Sequence, residues 1–253
     1  MSLRSPLWFL LISLLAGCVT TGDVNPLKTE KGREEARDAY IQLGIGYLRQ
    51  GATERAKPPL KKALELDPNN ADANVALAMV FQIEMEPELA EKYYRKAISE
   101  SGDSSRIYNN YAGFLYEQKR YPEAHDFFTK AASDNMYPER SRVFENLGLT
   151  ALKMAQPDKA KHYFEKALRL NPNQATSLLE IAMLEFESQQ YVPARDHFEK
   201  FNKRGETSAS SLLLGIRLAV VFEDRDTAAS YGLQLRRLYP GSPEYQQYLL
   251  EKK

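Results

Sequence analysis

The feature that most constrains this chain is an internal repeat of about 34 residues. The pattern occurs six times along the sequence, in rows that start at Arg37, Ala71, Ser105, Ser141, Ala175 and Ser208. The eighth place of every row is small, namely Gly44, Ala78, Ala112, Gly148, Ala182 and Gly215. An alanine stands twelve residues later, at Ala56, Ala90, Ala124, Ala160, Ala194 and, one place late, Ala228. A fixed period of this length indicates short units that stack on their neighbours.

A large apolar residue completes the pattern in the first five rows: Leu60, Tyr94, Phe128, Phe164 and Phe198. In the sixth row Gly232 stands in its place. The pattern resembles the tetratricopeptide repeat, in which two antiparallel helices approach closely at the small residues. This resemblance implies an all-α fold, an α-α superhelix or solenoid of about six repeats. The repeats are expected near residues 37–70, 71–104, 105–140, 141–174, 175–207 and 208–241, with a capping helix from about Ser242.

The N-terminus carries a targeting pattern in front of the repeats. Arg4 precedes an apolar run from Pro6 to Leu15, which is the layout of a secretory signal peptide over residues 1–17. The run is shorter than the roughly 20 residues that span a bilayer. It ends in "LAGC", and this resembles the lipobox of bacterial lipoproteins. The resemblance implies that Cys18, the only cysteine, becomes the lipidated first residue of the mature protein.

The lipid determines where the chain is expected to reside. Two or more acyl chains anchor a protein stably to one face of a membrane. Val19 is not the aspartate that retains lipoproteins in the inner membrane of enterobacteria. We therefore expect outer-membrane attachment with the repeat domain, residues 37–253, facing the periplasm. The polar segment 18–36 is expected to be a flexible tether.

Composition argues for a protein partner. The 34 basic and 34 acidic residues cancel, so no electrostatic footprint for nucleic acid is visible. The three histidines, at positions 125, 162 and 197, fall on different second helices and are expected to be solvated. The sequence has no phosphate-binding glycine loop and no HExxH, CxxC or GxSxG motif. These patterns predict a binding protein without enzymatic activity, metal, small-molecule substrate or cofactor, apart from the covalent lipid.

Tetratricopeptide repeats place the second, fifth, ninth, twelfth and thirteenth residues of each row on a concave surface. In the first two rows the apolar residues at these places are Ile41, Ile45, Leu48, Val75, Met79 and Ile83. If exposed, they would form an apolar patch that could receive an amphipathic helix. The alternative is that some of them belong to the core. A second candidate groove comprises Leu149, Leu152, Leu179, Met183 and Phe186.

A narrower resemblance rests on the lipobox, the six repeats and two stretches of sequence. "RIYNNYAGFLYEQKRYPEAHDFFTKA" in the third row and "MYPERSRVFENLGL" at the start of the fourth are similar to the type IV pilus biogenesis lipoproteins of the PilF/PilW family. That family implies a pilotin, which binds secretin subunits of the pilus and promotes their outer-membrane localisation and multimerisation. An alternative is a lipoprotein scaffold for outer-membrane protein assembly or for peptidoglycan enzymes. A hydrolytic enzyme is the third possibility, and the missing catalytic motifs disfavour it.

Overall fold

The computed structural model describes residues 26–252, which contain thirteen α-helices and no strand. A short 3₁₀ turn, Pro26–Lys28, precedes the first helix. The helices are α1 (Glu30–Arg49), α2 (Thr53–Leu66), α3 (Ala71–Ile83), α4 (Pro87–Ser101), α5 (Ser105–Glu117), α6 (Tyr121–Ser133), α7 (Arg140–Lys153), α8 (Pro157–Leu170), α9 (Ala175–Glu187), α10 (Tyr191–Asn202), α11 (Ala209–Val221), α12 (Arg225–Leu238) and α13 (Pro243–Glu251). The predicted all-α fold of helix pairs is confirmed. The chain divides into two units, residues 1–68 and 69–253.

The N-terminal unit holds the helix pair α1 and α2. Helix α1 begins at Glu30, where the side chain of Thr29 accepts a hydrogen bond of 3.0 Å from the backbone N–H of Gly32. Arg33 then donates to the backbone carbonyl of Leu66 at the end of α2. Residues 30–36 are therefore helical, and our expectation that they belong to a flexible tether is wrong. The expected signal peptide, Cys18 and the rest of the expected tether up to residue 25 lie outside the part of the chain that the structure describes.

The second unit repeats one packing arrangement. A side chain at Gly148 of α7 would meet the buried ring of Phe164 in α8, because a Cβ there would lie 2.5 Å from Cε1 of the ring. Gly44 and Leu60 have the same relation in the N-terminal unit. Within the second unit the first helices of successive repeats, α3, α5, α7, α9 and α11, contact one another in turn. This is the stacking that the sequence repeat predicts.

The two helices of each repeat are joined by a turn with one residue in the left-handed region. These residues are Gly51, Met85, Lys119, Ala155, Gln189 and Glu223, with φ between 55° and 70°. The next residue donates its N–H back to the first helix, as Gln156 does to the carbonyl of Ala151 at 2.9 Å. This bond satisfies a carbonyl at the helix end. In the sixth repeat the turn comes one residue later, which explains the late position of Ala228.

The predicted capping helix is confirmed as α13. The hydroxyl of Ser242 caps it by accepting the backbone N–H of Tyr245 at 3.1 Å. Gly232 in α12 is buried, and the phenol group of Tyr248 lies over it, within 2.5 Å of where a Cβ would stand. The neighbouring Tyr231 packs against Gly215. The missing aromatic side chain at Gly232 therefore makes room for the cap. Among the helices of residues 26–252, none combines the length and the apolarity needed to span a bilayer.

Candidate protein-binding surfaces

In the N-terminal unit, the predicted surface residues are Ile41, Ile45 and Leu48. They share one face of α1, since they stand at intervals of four and three residues. Ile41 is only 4% exposed and belongs to the core, so the expectation that it lines a binding surface is wrong. Ile45 and Leu48 are partly exposed. We call these two residues the repeat-one strip.

In the second unit, the predicted residues of α3 divide in the same way. Val75 is 2% exposed and packs in the core beside Tyr94 and Tyr111, so it too supports the surface without lining it. Met79 is 38% exposed and Ile83 is 52% exposed, and their spacing of four residues places them next to each other on α3. We call Met79 and Ile83 the repeat-two strip.

The residues of the second candidate groove lie on two helices that contact each other. Leu149 and Leu152 lie on α7, and Leu179, Met183 and Phe186 lie on α9. All five are partly buried, and each packs with one side against a core cluster. Because α7 and α9 are in contact, their outer sides form one apolar surface.

This surface continues beyond the residues that the repeat pattern selects in the fourth and fifth rows. Phe186 also lines an open pocket of about 950 Å³ together with Ile216 and Val220 of α11 and Tyr248 of α13. Val220 is 64% exposed. Ile216 and Val220 occupy the ninth and thirteenth places of the sixth row, so the same positional rule could have found them. Ile216 is only 5% exposed and supports the surface from the core, so we call the remaining residues the C-terminal groove: Leu149, Leu152, Leu179, Met183, Phe186 and Val220.

One partly buried carboxyl group, that of Glu180 on α9, stands three residues before Met183 and therefore neighbours it on the surface of the helix; the sequence pattern does not single it out. Burial raises the pKa of Glu180 on α9, and the nearby carboxylates of Glu145 and Glu187 raise it further, while the ammonium of Lys153 opposes them. Glu180 also acts on Tyr116 of α5. The pKa of this phenol is raised mainly by burial, and further by the nearby Tyr121 and the charge of Glu180. The carboxyl group is therefore close to residues of α5 and α7 as well as its own helix.

A network of charged groups stabilises the joint between the second and third repeats. Glu91 on α4 accepts hydrogen bonds from Arg120 at 2.8 Å, Arg95 at 2.6 Å and the hydroxyl of Tyr111 at 3.0 Å. Burial acts to raise the pKa of Glu91, but these three donors outweigh it and lower the pKa to about 2. The network ties α4 to α5 and to the start of α6.

The histidines are less solvated than the sequence predicts. His197 is partly buried, and its Nδ1 lies 2.8 Å from Oε2 of the buried Glu185. Oε1 of Glu185 forms an ion pair with the ammonium of Lys161 at 3.4 Å. The Nε2 atom of His125 lies 3.0 Å from the hydroxyl of Tyr163, and only His162 is exposed. Within residues 26–252 no group of three or more His, Cys, Asp or Glu side chains could hold a metal ion.

Comparisons with known proteins identify the repeat and the family. Models of the tetratricopeptide repeat match residues 38–70, 103–173 and 146–209. The chain is 63% identical over 252 residues, the whole length of both proteins, to the type IV pilus assembly protein PilF of Pseudomonas aeruginosa. The chain belongs to the PilF family.

Solved structures of PilF relatives agree with this assignment. A structure from a functional characterisation of Pseudomonas aeruginosa PilF has a TM-score of 0.85 at 63% identity, covering 87% of this chain and 99% of that one. PilW, described as a widely conserved type IV pilus biogenesis factor, has a TM-score of 0.72 at 29% identity, covering 84% of this chain and 98% of its own. The predicted resemblance to the PilF/PilW family is confirmed.

Proposed function

We propose that this PilF-family protein is a pilotin. In this proposal it is a lipoprotein of the outer membrane that binds type IV pilus secretin subunits and promotes their localisation and multimerisation. The observation that carries the proposal is the full-length identity of 63% to a type IV pilus assembly protein. The protein acts by binding its partner, without a catalytic step, as expected for a scaffold built of tetratricopeptide repeats.

Cys18 provides the anchor in this proposal. Its diacylglycerol and a further acyl chain hold the protein on the membrane, since two chains anchor stably where one does not. The repeat domain then lies on the periplasmic side. The N-terminal cap at Thr29 leaves only ten residues, 19–28, between the anchor and the capped end of α1. Even a fully extended chain of ten residues spans only about 35 Å, so in this proposal secretin subunits are held near the membrane surface.

The repeat-one and repeat-two strips supply the contact. Exposed apolar side chains at helical spacing suit an amphipathic helix of a partner. Met79 adds an unbranched, polarizable side chain that adapts to different partners. Ile41 and Val75, lying beneath the strips, hold α1 and α3 in place.

Site-specific photo-crosslinking in cells tests the proposal. A benzophenone amino acid at Met79 should crosslink to the secretin, whereas the same group at Leu43, which is 47% exposed on α1 outside the repeat-one strip, should not. Crosslinks from Met79 to barrel-assembly subunits or to a peptidoglycan hydrolase would instead support the alternative scaffold function. Equal secretin crosslinks from both positions would contradict specific binding at the repeat-two strip.

A further inference from the structure

The C-terminal groove is a second apolar surface, separate from the two strips, with a charged group at one side. Its residues project from α7, α9 and α11 and end at the pocket beside α13. Within repeats four and five the leucine, methionine and phenylalanine side chains of the groove are each partly exposed. An apolar surface of this kind is typical of partner-binding sites.

In repeats four and five the charges near the groove are unbalanced. Glu145 of α7 and Glu187 of α9 both act on Glu180, and among the described residues Lys153 is the one cation that does so. Glu145 is already engaged, because it accepts both the backbone N–H and the hydroxyl of Ser177, at 3.1 and 2.8 Å. Glu187 is exposed, so Glu180 is the partly buried carboxyl group on α9 that is left for a ligand in this part of the groove.

Glu180 is placed where a carboxylate is costly. It is partly buried, and taking a carboxylate out of water disfavours its charged form. A cationic side chain entering from a ligand would form a charge-assisted hydrogen bond with it. The carboxylate therefore disfavours the empty groove and favours an occupant of opposite charge.

We propose that the C-terminal groove binds an amphipathic helical segment of a protein partner that carries a lysine or arginine within its apolar face. The apolar side chains of the segment pack on Leu152, Met183 and Phe186, and its cation pairs with Glu180. This site goes beyond the proposed secretin-binding function, which uses the strips on α1 and α3. Either site can fail without affecting the other.

Two synthetic peptides test the charge requirement. Each has about 18 residues, five helical turns, with leucines along one face; the two differ only in a lysine or a glutamate at the centre of that face. The full-length lipidated protein is reconstituted in phosphatidylcholine nanodiscs, and peptide binding is measured by fluorescence anisotropy, with empty nanodiscs subtracted. The lysine peptide should bind at least about ten-fold more tightly, the factor expected for one charge-assisted hydrogen bond.

Substitutions assign the preference to Glu180. Glu180→Gln should abolish the difference between the two peptides, and Glu180→Lys should reverse it. Glu199→Gln, at an exposed carboxylate on α10, should leave it unchanged. Equal affinity of both peptides for the unmodified protein, no binding of the lysine peptide, or an unchanged preference in Glu180→Gln would overturn the proposal.

A second measurement does not depend on any peptide. If Glu180 is kept for binding at the cost of stability, Glu180→Gln should raise the melting temperature of the free protein at neutral pH. A lower melting temperature in Glu180→Gln would show that the carboxylate stabilises the fold, and this would overturn the proposal.

Discussion

The ring of Phe164 occupies the space in which a side chain at Gly148 would lie. The ring is fully buried, and a Cβ at Gly148 would come within 2.5 Å of one ring carbon and 2.7 Å of two others. An aromatic ring held on all sides by core residues cannot move aside cheaply. The close approach of α7 and α8 therefore depends on the absence of a side chain at this position.

Gly148→Ala should destabilise the protein by about 1–3 kcal/mol, the usual cost of overpacking a core. Gly113 provides the matched control, because it lies inside α5 and a Cβ added there would have no neighbouring atom within 4 Å. Gly113→Ala should stabilise by about 0.5–1 kcal/mol through the higher helix propensity of alanine. Chemical denaturation followed by circular dichroism measures both. Equal effects of the two substitutions would contradict the packing between Gly148 and Phe164.

The left-handed turns allow a stabilising substitution. Ala155 has φ of 55°, a conformation that costs an L-residue roughly 1 kcal/mol and glycine much less. Ala155→Gly should therefore raise the melting temperature. Ala229→Gly, at an exposed position inside α12, should lower it by the helix-propensity cost of about 1 kcal/mol. A destabilised Ala155→Gly protein would show that the turn is not strained.

The Glu91 network should make stability depend on pH. The pKa of Glu91 is lowered to about 2 in the folded chain from 4.5 in the free side chain. The contribution of the Glu91 carboxylate to the free energy of unfolding is therefore complete above about pH 5.5 and is lost as the pH falls towards 2. Glu91→Gln should cost at most about 3 kcal/mol at pH 7, and its difference from the unmodified protein should shrink between pH 5 and pH 3.

The exposed Glu100 on the same helix gives the control for this prediction. Glu100→Gln should leave the free energy of unfolding nearly unchanged at pH 7. Denaturant titrations at several pH values measure all three proteins. If Glu91→Gln lowered the free energy of unfolding by the same amount at pH 7 and at pH 3, ionisation of Glu91 would not contribute to stability.

Cys18 should be the first residue of the mature protein. Mass spectrometry of the envelope protein should find an N-terminus at this position that carries the mass of its acyl chains. Cys18→Ser should release the protein from the membrane fraction. Because the only tryptophan, Trp8, precedes Cys18, the mature protein should also show tyrosine emission alone. An uncut N-terminus with tryptophan emission would contradict lipoprotein processing.

The helices could be predicted because the information is local. The small residue at the eighth place and the large residue of the second helix meet within one repeat, as Gly44 does with Leu60. Each repeat therefore specifies its own helix pair, and the repeat period specifies how many pairs follow. The repeat pattern does not indicate the start of α1, because the cap of Thr29 depends on one side chain and the bond from Arg33 to Leu66 on a partner 33 residues away.

The surfaces could be predicted only in part. Ile41 and Ile45 are the same residue type on the same face of α1, yet one is buried and the other partly exposed. The repeat pattern gives the direction of a side chain but not how deeply its neighbours cover it. Glu180 could not be recognised for a related reason. Its environment is set by α5 and α7 as much as by its own helix, and a charge within a helical sequence normally indicates a solvated face.

The central claim is that the repeat-one and repeat-two strips bind the secretin. Ile45→Asp combined with Met79→Asp places a carboxylate in each strip, where a bound partner would leave it buried and unpaired. The matched control combines Leu43→Asp with Leu89→Asp, two apolar residues that are 47% and 39% exposed and lie outside the strips. Circular dichroism establishes that both double variants are folded.

The most direct measurement is the amount of multimeric secretin in the outer membrane of cells that carry each double variant, resolved by gel electrophoresis without heating. The pilotin account predicts that the Ile45→Asp and Met79→Asp protein leaves the secretin monomeric or mislocalised, whereas the control protein supports full multimers. Full secretin multimers with a folded Ile45→Asp and Met79→Asp protein would contradict it.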